Sequence, residues 1–253
     1  MSADVKLIVT DLDGTLLRSD KTLSSYTGEV LRRCRARGIK IIFATARPAN
    51  RMELLGIAEY ADRVIISNGA SIYQHGESVT QFGIAPAIAK PLMNQLLHTL
   101  PGLRISIEYG HIAYANCDLS DLWETESRIG FDDLPDAPAD KIVIRVEAET
   151  YAAVQGLLPA GLYAQLCEGW LILIMHERAT KWNAVRLLAE QWGIAIGEIV
   201  AFGDDHNDME MLKNCGMGVA MVNALDEVKA VADCVCGSND EDGVAKWLEE
   251  HVL

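Results

Sequence analysis

The sequence predicts an α/β fold, a doubly wound parallel sheet with a smaller α+β domain inserted into it. Three observations carry that expectation. Apolar runs of strand length alternate with amphipathic helical stretches at both ends of the chain, as strand–helix–strand units require. Over residues 84–178 the alternation gives way to helices followed by pairs of antiparallel strands. Residues 1–83 and 179–253 are therefore assigned to the sheet domain and 84–178 to the insert. Three of the apolar runs also end in turns crowded with oxygen atoms and charge, and open α/β sheets hold ligands at the carboxyl ends of their strands.

The first strand is Val5–Thr10. Its Leu7–Val9 stretch carries no charge, as in a strand covered on both faces, and it delivers Asp11-Leu12-Asp13-Gly14-Thr15. Asp11 and Asp13, two apart, leave an extended segment on the same side. Gly14 permits a tight path and Thr15 offers a hydroxyl. Ser24 or Ser25 caps a helix running to about Arg37, striped by Leu23, Val30, Leu31 and Cys34 and stopped by Gly38. Ile39–Ala44 is the second strand and delivers Thr45-Ala46-Arg47-Pro48. Pro48 suits the first turn of a helix carrying Met52, Leu55 and Ile57. Arg63–Ser67 is the third, delivering Asn68-Gly69-Ala70.

Ala70–Tyr73 and Ser78–Phe82 flank Gln74-His75-Gly76-Glu77 as a hairpin. In the insert, Ala85–Leu100 reads as a helix whose start Pro86 and Pro91 set or perturb. Leu103–Tyr109 and His111–Asn116 read as paired strands, Leu119–Ile129 as a helix, and 131–140 as a loop rich in Asp and Pro. Lys141–Val146 is a strand, Thr150–Leu158 a helix, and Leu162–Cys167 pairs with Trp170–His176 across Glu168-Gly169. The alternation returns with a helix from Thr180-Lys181 to Trp192, closed by Gly193. Ile199–Phe202 is a buried strand delivering Gly203-Asp204-Asp205-His206-Asn207-Asp208, and a helix with Met209, Met211 and Leu212 follows. Met217–Met221 and Asp233–Cys236 are strands; Ala224–Ala232 and Asp240–His251 are helices.

Composition narrows the function. Of 253 residues 50% are hydrophobic, enough for a large core. The formal net charge is -14, with 36 acids against 22 Lys and Arg, a field that repels nucleic acid and anionic membrane surfaces. An anionic substrate would need a metal and local cations. No stretch has the length of a transmembrane helix, and Met1-Ser2-Ala3-Asp4 leads directly into a strand, so a cytoplasmic location is expected. The six cysteines, at 34, 117, 167, 215, 234 and 236, read as reduced thiols rather than a disulfide framework. Cys234 and Cys236 lack the spacing and partners of a zinc site. Monomer and homodimer both stay open.

Taken alone, the Asp11–Thr15 turn is as well explained by an ordinary strand-to-loop turn. Asp11/Asp13, Thr45/Arg47 and Asp204/Asp205/Asn207/Asp208 nevertheless fall at three strand ends that a parallel sheet gathers on one edge, and Lys181 opens the helix before the last of them. Converging carboxylates with oxygen-rich neighbours suit a hard cation such as Mg²⁺. Hydroxyl, amide, Lys and Arg groups around it suit a phosphate. Asp205 and Asp208 are also acids at a helix start, where the dipole favours them, and for Asp205 the two readings weigh equally. His206 is not needed at a hard oxygen site.

These motifs resemble those of the haloacid dehalogenase-like phosphohydrolases. The resemblance rests on Asp11-Leu12-Asp13-Gly14-Thr15, Ala44-Thr45-Ala46-Arg47, Lys181 and Gly203-Asp204-Asp205-His206-Asn207-Asp208. Ser67-Asn68-Gly69-Ala70, Val219–Ala224 and Asp240–Ala245 resemble the Cof-type branch (subclass IIB), whose Rossmann-like core carries a large α/β cap. The resemblance implies a Mg²⁺-dependent phosphatase acting on a small phosphorylated metabolite, a sugar phosphate or similar phosphomonoester. Asp11 would be nucleophile and metal ligand, and Asp13 general acid then base, its backbone carbonyl a further ligand. Asp204 would be the third protein ligand, with Asp208 and in some measure Asp205 supporting the metal's waters. Thr45 and Lys181 would hold phosphoryl oxygens, and Leu12 and Ala46 would line the phosphate. Asn207 would contact the phosphate or steady Lys181, Arg47 would reach substrate or cap, and Asn68 would line the site. Two departures stand out: Ala46 where the family more often has Gly, and Val222 where Gly is usual. Selectivity would lie in the cap, with Glu108, Tyr109, His111, Tyr114, Arg145 and His176 as possible contacts and Trp123 or Trp170 able to face the substrate. A phosphomutase sharing the phosphoenzyme is the nearest alternative. A phospho-Asp receiver fits poorly with the insert and with Asp13, and nothing in the motifs is missing that would suggest an inactive scaffold.

Overall fold

The computed structural model describes residues 4–49, 52, 55–74, 77–80, 82–110, 112–118, 126–145, 150–167 and 170–253. In chain order the strands of the larger sheet are Leu7–Thr10 (β1), Lys40–Ala44 (β2), Arg63–Ile66 (β3), Ser71–Gln74 (β4) and Glu77–Thr80 (β5). Those of the smaller sheet are Arg104–Tyr109 (β6), Ile112–Ala115 (β7), Glu126–Ile129 (β8), Lys141–Arg145 (β9), Leu162–Cys167 (β10) and Leu171–His176 (β11). The chain then returns to the larger sheet with Ile199–Gly203 (β12), Met217–Met221 (β13) and Cys234–Cys236 (β14). The helices are Ser25–Ala36 (α1), Pro86–Thr99 (α2), Thr150–Leu157 (α3), Lys181–Trp192 (α4), Met209–Asn214 (α5), Asp226–Lys229 (α6) and Gly243–His251 (α7).

The larger sheet has the order β14-β13-β12-β1-β2-β3-β4-β5. It is parallel from β14 to β3, and β4 and β5 add an antiparallel hairpin at one edge. This is the doubly wound sheet expected. β1 sits in its interior, and all of Leu7–Thr10 is buried, as a strand covered by helices on both faces must be. Ser24 caps α1 by accepting from the Thr27 N–H, and Gly38, with φ 84°, ends the turn after it.

The smaller sheet runs β10-β11-β9-β6-β7-β8, antiparallel except for the β7–β8 pair. Period-two alternation divides its faces. Ile105, Ile107, Ile142, Ile144, Ile172 and Ile174 pack with Leu92, Met93 and Leu96 of α2 and Val154 of α3. Val143, Leu171, Leu173 and Met175, one residue out of phase, pack with Ala70 and Ala179, so this second face looks onto the larger sheet.

Several elements differ from expectation. Residues 119–125 of the expected 119–129 helix lie outside the described residues, and Glu126–Ile129 is a strand rather than helix. It pairs in parallel with Ile112–Ala115, whose open edge outweighs any helical pattern in the sequence. β3 stops at Ile66, and Ser67–Gly69 forms a tight turn. The helix expected over 224–232 is confined to Asp226–Lys229. The helix expected from Asp240 starts at Gly243, because Asp242 is left-handed (φ 59°) and breaks it from the turn at Asn239–Glu241. Ala49 and Met52 are helical after Pro48, but residues 50, 51, 53 and 54 of that helix lie outside the described residues, as do His75, His111, Trp123 and the Glu168-Gly169 turn. Among the described residues, no helix is long and apolar enough to cross a membrane.

Candidate active site

Register gathers the loaded turns. Thr10 pairs with Phe202 on one side and Phe43 on the other, and Ala44 pairs with Ile65. The next residues along each strand therefore emerge side by side: Asp11 between Gly203-Asp204 and Thr45, with Ser67-Asn68 beyond. Backbone bonds fix the alignment, from Asp11 N–H to the Phe202 carbonyl (3.0 Å), Thr45 N–H to Ile65 (2.8 Å) and Asn68 N–H to Thr45 (3.0 Å).

Lys181 is the first residue of α4 and is 1% exposed. Thr180 caps the helix by accepting from Asn183 N–H. The Lys181 Nζ donates to Asp11 Oδ1 (2.6 Å) and Asp208 Oδ1 (2.7 Å). The other Asp208 oxygen accepts from the Asp204 and Asp205 N–H groups (3.0 and 3.2 Å). Asp208 thus steadies Lys181 and the turn that carries Asp204. Asp204 Oδ1 accepts from the Thr15 hydroxyl at 2.5 Å.

Carboxylate oxygens of Asp11, Asp204 and Asp208 lie within 4.8 Å of one another. Burial pushes the Asp11 carboxyl well above the usual carboxylate range; Lys181 draws it down, while Asp208 and Asp204 push it up again. Burial raises Asp204 to about 6 against the Thr15 hydrogen bond, with Asp208 adding to the rise. Burial also opposes the Lys181 charge, yet Asp11 and Asp208 outweigh it and hold its pKa above the ordinary lysine value. Three carboxylates share one ammonium, so the cluster lacks positive charge, and a hard divalent cation fits its all-oxygen donors.

Asp13 stands apart from this cluster. Both its oxygens face cations: Arg47 Nε reaches Oδ2 (2.6 Å), Arg47 Nη2 reaches Oδ1 (2.7 Å), and Lys21 Nζ reaches Oδ1 (2.8 Å). Burial would raise this carboxyl, but the hydrogen bonds from Arg47 and Lys21 bring it down to about 2. Arg47, expected on substrate or cap, is in this structure the bidentate partner of Asp13, because the ends of β1 and β2 lie next to each other. Thr45 Oγ1 accepts from the Arg47 N–H. Asn207 Nδ2 donates to Asn68 Oδ1 (2.9 Å) and makes no bond to Lys181. The Leu12 side chain is fully buried, so Leu12 can meet a phosphate only through its backbone.

Neither departure from the motif pattern disturbs the backbone. Ala46 and Val222 have negative φ, so neither position needs glycine, and Asn223 ties its turn to the Gly14 carbonyl (2.8 Å). Gly14 itself is required: its φ is +83°, and a Cβ there would lie 2.4 Å from Asp204 Oδ2. Gly14→Ala should push Asp204 off the cluster. The expected result is a loss of turnover of about 100-fold or more, from a small displacement of a positioned group. Phosphate release measured beside a melting curve checks it.

Sequence reasoning missed Lys21 and Lys141. Lys141, 6% exposed, lies 3.3 Å from Glu108 Oε2 and donates to the Ala46 carbonyl (3.4 Å), which sets this pair over the Thr45–Arg47 turn. A lysine opening an otherwise apolar strand was the available signal. Glu108, one of the suggested cap contacts, is thus linked to the turn through Lys141. Tyr109 and Tyr114 pack edge-to-face on the helix-covered side and point away. Arg145 lies over the Trp170 ring, and His176 Nδ1 accepts from the Arg178 N–H. A cavity of about 480 Å³ adjoins the Lys181 side, lined by Asn68, Lys181, Asn207 and Glu210 below and by Tyr163 and Gln165 above.

Comparison with known proteins identifies the family. Residues 8–248 match the family described as haloacid dehalogenase-like hydrolase. A Haemophilus influenzae protein named "Putative phosphatase" is 33% identical over 262 residues, covering 97% of both chains. A Bacillus subtilis 5-amino-6-(5-phospho-D-ribitylamino)uracil phosphatase is 27% identical, again over 97% of each. A solved haloacid dehalogenase superfamily subclass IIB sugar phosphatase superposes with a TM-score of 0.81 at 25% identity, covering 97% of this chain and 98% of its own.

Proposed function

The chain belongs to the haloacid dehalogenase-like hydrolase family, and from that premise we propose that it is a phosphatase of small phosphorylated metabolites working through an aspartyl-phosphate on Asp11. The observation that carries this reading is the buried Lys181 ammonium shared by Asp11 and Asp208, with Asp204 beside them. An anionic phosphoryl group cannot approach a carboxylate without such a cation.

An Asp11 oxygen attacks phosphorus while the bond to the leaving oxygen breaks. Asp13, having turned from Arg47 and Lys21 and taken up a proton from solvent, gives that oxygen the proton and is left a carboxylate. The Asp13 carboxylate then takes a proton from water, and the resulting hydroxide attacks phosphorus, releasing phosphate and restoring Asp11. Lys181 and Thr45 hold phosphoryl oxygens as charge shifts between them. Asp11 and Asp204, with the Asp13 backbone carbonyl, would hold Mg²⁺. Bound there, the ion would neutralise the carboxylates and polarise the phosphoryl group. The 84–178 segment, as a cap, selects the leaving group; Lys141 and Glu108 are its nearest candidates. The named activities of the relatives favour a phosphorylated sugar or polyol derivative.

The test is phosphate release from a panel of phosphomonoesters with Mg²⁺ and with chelator. Turnover is expected to fall by about 100-fold or more without the ion; chelator-insensitive turnover would remove the metal from the reading. A stability measurement adds a second readout. The raised Asp204 and Asp11 pKa values mean that the folded, metal-free protein binds protons the unfolded chain has already lost. Its stability should therefore fall as pH rises from the ordinary carboxylate range through about 6, and Mg²⁺ should restore it at pH 7.

A further inference from the structure

Asp13 is placed where it cannot perform the step assigned to it. Each of its oxygens is engaged, one by the Arg47 guanidinium and the other by both Arg47 and Lys21. A carboxylate gripped in this way is not turned toward a leaving oxygen. Something must take its place.

The cations are the fixed part of this arrangement. Lys21 sits in a turn closed by bonds from Arg18 N–H to the Thr22 carbonyl (3.0 Å) and from Lys21 N–H to the Arg18 carbonyl (2.8 Å). The Asp20 carboxylate braces it by accepting from the Thr22 N–H and hydroxyl. The turn is pinned at its base, since Arg18 pairs with Asp242 (2.8 Å) and Ser19 bonds Asp240 through its N–H (2.8 Å) and hydroxyl (2.7 Å). Lys21 itself holds a left-handed backbone, φ 66°, which side chains disfavour and which tends to persist where a position matters. Arg47 is held through its backbone by Thr45 and by Ser67 N–H, which donates to its carbonyl. Two cations carried on braced turns therefore hold both oxygens of Asp13. Of the other cations at the site, Lys181 is committed to Asp11 and Asp208, and Lys141 to Glu108.

We infer that Arg47 and Lys21 form an anion seat which Asp13 occupies at rest, and that a second oxyanion on the leaving half of the substrate, carboxylate or phosphate, displaces Asp13 into its catalytic position. Recognition and positioning of the acid are then one event. A chain with net charge -14 has need of such a seat if its substrate carries more than one anion. Lys21 acts on the leaving oxygen only through Asp13 and is in that respect a positioning residue.

This inference rests on the phosphatase reading, and its test separates the two. Wild-type kcat and KM are measured with Mg²⁺ on matched pairs: glycerol 3-phosphate against 3-phosphoglycerate, glucose 6-phosphate against 6-phosphogluconate, and fructose 6-phosphate against fructose 1,6-bisphosphate. p-Nitrophenyl phosphate, whose leaving group needs no proton, serves as the control. At least one anion-bearing member should exceed its neutral partner by about tenfold or more in kcat/KM, the scale of one charge-assisted hydrogen bond. The first two pairs report a carboxylate and the third a phosphate. In Lys21→Met that ratio should fall toward one, through both KM and kcat, and Lys21→Arg should recover it. Wild-type hydrolysis of p-nitrophenyl phosphate with no preference in any pair overturns the anion seat and leaves the phosphatase intact. A ratio unchanged in folded Lys21→Met also overturns it. No turnover of any ester overturns the phosphatase reading and the seat together. The wild-type comparison decides the matter even if the variant does not fold.

Discussion

Asp11→Asn is expected to lower phosphate release by about four orders of magnitude while leaving the protein folded, because an amide cannot form the acyl phosphate. The two halves of this expectation have separate causes. Asp11 is 6% exposed and faces Asp204 and Asp208 across less than 4.8 Å, so its charge is carried against burial and against like charges. Asparagine has nearly the same shape and removes that repulsion, although it also weakens the bond to Lys181. The metal-free variant should accordingly melt at or above the wild-type temperature at pH 7, where the wild-type carboxylates are most strained. Loss of turnover with retained melting assigns Asp11 to the chemistry. Near-wild-type turnover would sink the nucleophile assignment, and loss of both would leave Asp11 a structural residue.

The parts of this site that could be read from sequence share one property: each depends on where an apolar strand ends. Leu7–Thr10, Ile41–Ala44 and Ile199–Gly203 are buried and lie in parallel strands, so the residues that follow them must meet, and Asp11, Thr45 and Asp204 do. Lys181 was legible for the same reason, as the opening residue of a helix beside that edge. What depended on pairing between side chains was not legible. Arg47 had two expected destinations and took a third, since only the folded sheet sets the tips of β1 and β2 side by side. Lys21 lies in a polar turn whose composition gives no sign that it points back at Asp13. In the smaller sheet the alternation of β6 and β7 was visible, but its phase was not. The helices α2 and α3 decide which face is covered, and they turn Tyr109 and Tyr114 away while leaving Glu108 on the side of Lys141. The strand at Glu126–Ile129 was hidden because it depends on an edge that β7 offers in space.

Lys181→Met is the substitution for which the geometry forecasts the largest loss of stability. The ammonium is 1% exposed and is bonded to two carboxylates that are 6% and 0% exposed, Asp11 and Asp208. Methionine fills much of the same volume, so packing changes little, and the cost is the charge left behind. Removing one partner of a buried ion pair costs about 3–5 kcal/mol. Protonation can relieve that cost, which gives it a signature in pH. In the wild type the Lys181 pKa lies above its unfolded value, so Lys181 is charged in both the folded and unfolded chain below the ordinary lysine range and its own titration adds no pH dependence between pH 4 and 8. In the variant Asp11 and Asp204 lose the group that draws their pKa values down, and they rise further. The variant should then lose stability as pH climbs through those values. The gap in melting temperature should be widest near pH 8 and close as pH falls toward 4, where Asp11 and Asp204 are neutral. A divalent cation at the cluster should also narrow the gap at pH 7, by replacing part of the missing charge. A gap independent of both pH and Mg²⁺ would mean that the side chain matters for its bulk and would take from Lys181 the electrostatic role given to it here. Turnover should not return with either treatment, because the phosphoryl group would still meet Asp11 without its cation.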